Sequence, residues 1–123
     1  MTLHGRTDED IVAGYLAHHA TGDDSLFWAF EDLSEILSDD PERAWRLTLQ
    51  LISQSSNEAV LAYVAAGPLE DLLAYHGHRF IERIEAQSKT DAVFHQALCG
   101  VWGQGRFDPE IYDRVQHAIR FRA

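Results

Sequence analysis

Apolar positions recur three and four residues apart from Ile11 to Ile119, with no sustained two-residue alternation. That spacing belongs to helices that each turn one side toward a core, so the pattern predicts an all-α fold. A first helix is expected over about residues 8–19, capped by Thr7, with Ile11, Val12, Tyr15, Leu16 and His19 as its apolar stripe. Thr21-Gly22-Asp23-Asp24 ends it, and a second helix over about 25–38 should bury Leu26, Phe30, Leu33 and Leu37. The third, about 41–55, carries Ala44, Trp45, Leu47, Leu49, Leu51 and Ile52 around most of its circumference, which marks a central helix. The fourth, about 57–66, is apolar nearly all round and is expected to be enclosed as well.

Asp40-Pro41, Gly67-Pro68 and Asp108-Pro109 each place proline where a helix can begin, because a first helical residue needs no N–H donor. Gly67-Pro68 therefore predicts a sharp corner, followed by a short fifth helix presenting Leu69, Leu72 and Leu73 and stopped by a left-handed Gly77. A sixth helix would use Phe80, Ile81 and Ile84, and a seventh, about 91–102, Phe94, Ala97, Leu98 and Val101. After Gly103-Gln104-Gly105 an eighth would bury Ile111, Val115 and Ile119. Seven to eight short helices with small turns imply stacked antiparallel pairs, α-solenoid-like, or a compact irregular bundle.

Composition adds a boundary that the periodicity does not show. The chain of 123 residues suits one domain over 1–123, yet its charge of −10 is unevenly spread. Residues 1–42 hold the carboxylates of Asp8, Glu9, Asp10, Asp23, Asp24, Glu31, Asp32, Glu35, Asp39, Asp40 and Glu42 against Arg6 alone, while residues 43–123 are balanced. An acidic N-terminal part thus sits on a neutral helical body. Such a field repels nucleic acid and steers cationic partners. Helix capping accounts for many of these acids but not for their concentration at one end.

Other chemistry is sparse. MTLHGRTDED lacks the basic and apolar regions of a secretory leader, and no apolar stretch is long enough to span a bilayer, so a cytoplasmic protein is expected. Cys99 is the single cysteine and lies in the run Ala97-Leu98-Cys99-Gly100-Val101-Trp102, where a small buried hydrophobe is expected. Its serines lack a strained elbow or an oxyanion turn, so no catalytic residue is assigned. Gly103-Gln104-Gly105 with Arg106 reads as a flexible connection rather than an anion site.

Val64-Ala65-Ala66-Gly67-Pro68-Leu69-Glu70-Asp71-Leu72-Leu73-Ala74-Tyr75-His76-Gly77, then Phe80-Ile81-Glu82-Arg83-Ile84-Glu85 and Phe94-His95-Gln96-Ala97-Leu98-Cys99-Gly100-Val101-Trp102, resemble a family of small bacterial proteins catalogued as a domain of unknown function. The likeness covers roughly residues 44–102 and is most specific at Gly-Pro-Leu-Glu-Asp-Leu-Leu. It implies a bacterial helical protein and carries no activity with it.

Two constellations stand out. Trp28, Glu31, Asp32 and Glu35 fall at i, i+3, i+4 and i+7, an aromatic among carboxylates that suits a partner's Arg or Lys; Asp23, Asp24 and Asp39 flank them. The competing expectation is that Trp28 packs inward and the carboxylates are merely solvated. Glu70, Asp71, His76 and His78 surround the Gly67 corner and form an alternative pocket, although the two histidines are badly spaced for a metal and none is assigned, nor any cofactor. Arg114, His117, Arg120 and Arg122 make a small basic cluster that could meet the acidic part within one molecule or in a second copy.

The expectation that follows is a non-enzymatic interaction domain docking its acidic face on a basic protein, such as a toxin or nuclease, in the manner of a bacterial immunity or antitoxin-like inhibitor. A small metal- or metabolite-binding domain or enzyme at the Gly67–His78 corner is the first alternative. A structural homo-oligomer is the second.

Overall fold

A computed structural model describes residues 5–120, and these residues are all-helical, with no strand among them. Helix α1 (Asp8–Thr21) opens on a reciprocal cap: the Thr7 hydroxyl accepts the Asp10 N–H at 3.1 Å, and the Asp10 carboxylate accepts the Thr7 N–H at 3.3 Å. Gly22, at φ +67°, closes it. A 3₁₀ turn (Asp24–Leu26) leads into α2 (Phe27–Asp39), and Asp40-Pro41 starts α3 (Pro41–Ser53) as expected. Asn57 caps α4 (Glu58–Val64), and Asp91 caps α6 (Ala92–Cys99); α7 (Pro109–Arg120) begins at its proline.

The stretch from Glu58 to Thr90 departs from the expected corner. Pro68 does not start a helix; it lies inside a π turn (Ala65–Leu69) that joins α4 to α5 (Glu70–Thr90) without a break. Proline in a helix interior offers no N–H and crowds the carbonyl four residues back. Widening the turn relieves both, and the Glu70 N–H reaches five residues back to the Ala65 carbonyl. Gly77 likewise does not stop a helix, because α5 runs through it with only a kink at His76 (φ −135°, ψ 29°). Gly77 serves close approach instead: a Cβ there would stand 3.0 Å from Cγ2 of Ile111 on α7. The three helices expected over 57–90 are therefore one kinked rod, and six rods result where seven to eight helices are expected.

Helix α3 is central, touching α1, α2, α4, α5 and α6, so the arrangement is an irregular bundle about one rod rather than a row of consecutive pairs. Its Trp45 stacks on Phe80 at 5.7 Å between ring centres and meets the edge of Phe94 at 5.9 Å. Ala44, Leu47, Leu51 and Ile52 fill the rest of the core with Leu69, Leu72, Leu73 and Ile84. Helix α4 is not enclosed, for only Leu61 and Val64 are buried while Ala59, Ala62 and the adjoining Ala66 face solvent. Alanine tolerates either environment, so its abundance there says little about burial.

Candidate functional site

Helix α2 is rotated from the expected phase. Ala29, Asp32, Leu33, Ile36 and Leu37 are buried, whereas Phe30 is 42% and Phe27 44% exposed, and Leu26 is half-buried. The outward side carries Phe27, Glu31, Ser34 and Ser38 along its midline, with Phe30 on one flank and Glu35 on the other. Phe27 and Phe30 stack on one another at 5.3 Å, and His18 of α1 sets its ring edgewise to Phe27 at 5.8 Å. Asp24, Glu31 and Asp39 are exposed on the same stretch, as is Asp23, whose carboxylate accepts hydrogen bonds from the Ser25 hydroxyl and N–H and titrates below its ordinary range for that reason. An aromatic among carboxylates exists here, but it is the phenylalanine pair.

Trp28 and Asp32 do not belong to that outward face. Arg6 lies 4.2 Å from the centre of the Trp28 ring and donates from Nη1 to Asp32 Oδ2 at 2.7 Å, so the chain's own arginine fills the cationic position expected of a partner. Asp32 is buried beneath it, and the indole packs over Gly14 of α1, where a Cβ would come within 2.8 Å of Cη2. Three arginines tie the remaining acidic part to the body. Arg43, itself buried, donates Nε to Asp8 at 2.8 Å and Nη2 to the Arg6 carbonyl at 2.9 Å, while Arg79 and Arg83 both hold Glu42. Of the α7 cluster, Arg114 pairs with Glu85 on α5, and Arg122 lies outside the described residues.

The alternative pocket is split by the geometry. Glu70 and Asp71 turn toward the α6–α7 loop, where Glu70 accepts the Trp102 N–H at 2.9 Å and an Arg106 Nη1 hydrogen bond, and Asp71 accepts Arg106 Nη2 at 3.1 Å. Both carboxylates push the guanidinium's pKa upward, Glu70 first. Arg106 is thus engaged and is not an anion site. His76 points elsewhere, its Nε2 donating to the Leu37 carbonyl at 2.8 Å, which fixes the proton on that nitrogen because a carbonyl only accepts. Exposed His78 stands 3.5 Å from Asp108. Glu70 and Asp71 thus share Arg106, whereas His76 and His78 line a separate open cavity of about 300 Å³ with Asp108 and Ile111; no cluster of metal-ligating side chains occurs among the described residues.

Two further positions differ from expectation. Cys99 is exposed, being the last residue of α6 on the side away from Phe94, Ala97 and Leu98. Its sulfur is 3.9 Å from His95 Nδ1, and His95 Nε2 bonds the Ile119 carbonyl at 3.0 Å. The Gly103–Gly105 loop is built rather than loose: Gly103 (φ +63°) lies so close to the buried Phe107 ring that a Cβ would overlap it. Trp102 is left 81% exposed beside it.

What sequence reasoning missed is the outward placement of Phe27 and Phe30. Ala29, Leu33 and Ile36 form an i, i+4, i+7 stripe as regular as the one through Phe30, and in the observed phase Asp32 meets Arg6 while Trp28 packs over Gly14. A small slot opens where α2 meets the π turn. It measures 30 Å³, room for about two water-sized groups, and Phe30, Leu33, Leu37, Ala44, Pro68 and Asp71 are among the residues lining it.

The described residues define an all-helical protein in which the outward side of α2 is aromatic and anionic. The chain belongs to the family described as a family of unknown function (DUF6869), which matches residues 17–122. No curated protein matches the chain, and no solved structure does. Among the described residues no helix is long and apolar enough to cross a membrane.

Proposed function

We propose that this chain is a non-enzymatic protein-interaction domain that docks the outward side of α2 on a basic partner protein, as a bacterial, cytoplasmic immunity or antitoxin-like inhibitor would. The observation that carries the reading is the stacked Phe27–Phe30 pair, over two-fifths exposed at both residues, with Asp23, Asp24 and Glu31 exposed near it and Glu35 and Asp39 exposed further along α2. Burying what remains exposed of each ring is worth about 2 kcal/mol. The carboxylates add steering and orientation rather than bulk affinity. Masking a cleft built for phosphates calls for this combination: anionic groups in an array, with an apolar anchor among them.

The test compares affinity capture by the wild-type chain with that by Phe27→Ser/Phe30→Ser and by Glu31→Lys/Glu35→Lys, at low and high salt. A basic protein should be recovered by the wild type, released as salt rises, and lost by both variants at a temperature where circular dichroism shows each of them folded. Equal recovery of every captured protein by all three chains would refute the proposal.

A further inference from the structure

We infer that the slot between α2 and the π turn receives a cationic side chain with an aliphatic stem, an arginine or lysine of the basic partner; this deepens the α2 reading and rests on it. The slot adjoins the proposed face directly, since Phe30 and Ser34 of α2 line it. Its walls are mainly apolar and its 30 Å³ admits about two methylene-sized groups, which the end of an Arg or Lys stem offers. Asp71 is the one charged residue lining it, and the charge balance there is negative: Glu70 and Asp71 share the single guanidinium of Arg106. Arg106 Nη2 takes only Oδ1 of Asp71, at 3.1 Å, and the Asp71 side chain stays 37% exposed, so its carboxylate can accept a second cation. The Phe30 ring at the mouth presents a face suited to the same charge. A neutral aliphatic side chain would fill the walls and leave the carboxylate unused.

The experiment is an amide-resolved NMR titration of the full chain with n-butylguanidinium, against n-butylurea, which has the stem without the charge, and guanidinium, which has the charge without the stem. Saturable shifts at the amides of Ser34, Gly67 and Asp71 are expected with n-butylguanidinium alone. Asp71→Asn should weaken its binding about tenfold, and Ser34→Leu, an exposed change that roofs the slot without touching the core, should abolish it. Equal binding of n-butylurea would overturn the charge requirement, equal binding of guanidinium would reduce the effect to surface electrostatics, and absence of saturable shifts would remove the site; each sinks the inference. If n-butylguanidinium binds as described while the phenylalanine variant still captures every partner, the slot stands and the α2 reading falls. Capture that depends on the phenylalanines with no probe binding has the opposite meaning.

Discussion

Truncating Glu70 tests whether the α6–α7 loop is held by the carboxylate beneath it. Glu70 is 7% exposed, accepts the Trp102 N–H at 2.9 Å, and shares Arg106 with Asp71. In Glu70→Ala the amide loses a charged acceptor, worth about 1.5–3 kcal/mol when desolvated and less here because Trp102 lies at the surface. The ion pair contributes about 0–1 kcal/mol, since Arg106 is 40% exposed and keeps Asp71. A net loss of about 2 kcal/mol is expected, lowering the melting temperature by about 6–10 °C. Glu70→Gln retains an acceptor for the amide and should lose about half as much. Urea unfolding followed by circular dichroism measures the global effect, and hydrogen exchange at the Trp102 amide measures the local one. If Glu70→Ala unfolded within about 0.5 kcal/mol of the wild type and left Trp102 exchange unchanged, the loop would owe its position to Phe107 and the glycines instead.

Gly14→Ala should destabilise even though alanine is the better helix former by about 1 kcal/mol, because its Cβ would stand 2.8 Å from Cη2 of Trp28 and the indole must move; a lower melting temperature with shifted tryptophan emission checks it, and a stabilised protein would refute the packing. Glu42 is held below its ordinary 4.5 by the Arg83 hydrogen bond first and Arg79 second. A carboxylate with a lowered folded pKa stabilises above its unfolded value and loses that contribution as pH falls through the folded one. Stability curves of the wild type and Glu42→Gln should therefore differ at neutral pH and converge below pH 4.5; curves parallel through that range would contradict the pairing.

The fold was legible wherever a local rule acts alone. Thr7 and the prolines at 41 and 109 begin helices because capping and the missing proline donor are settled within four residues of chain. The central position of α3 was legible too, since Trp45, Leu47, Leu51 and Ile52 are large apolar groups that need neighbours on several sides, whereas the alanines of α4 do not. The phase of α2 was not, because two stripes of equal quality compete and the observed phase brings Asp32 to Arg6 and Trp28 over Gly14, both distant in sequence. Pro68 and Gly77 misled for a related reason: both are breakers by local preference, and tertiary packing on α3 and α7 overrides them with a π turn and a close contact. The phase error carries over to the outward side of α2, where Phe27 and Phe30 stand exposed while Trp28 packs over Gly14 beneath Arg6.

The widened turn at Ala65–Leu69 also acts as a phase corrector. A regular helix advances about 100° per residue, and an apolar stripe spaced at threes and fours drifts steadily around so long a rod. One surplus residue, absorbed without advancing the spiral, winds that drift back, so that Leu72, Phe80 and Ile84 look the same way as Leu61 and Val64. Deleting Ala66 would press Pro68 into a regular α-turn and swivel every side chain beyond it off its neighbours.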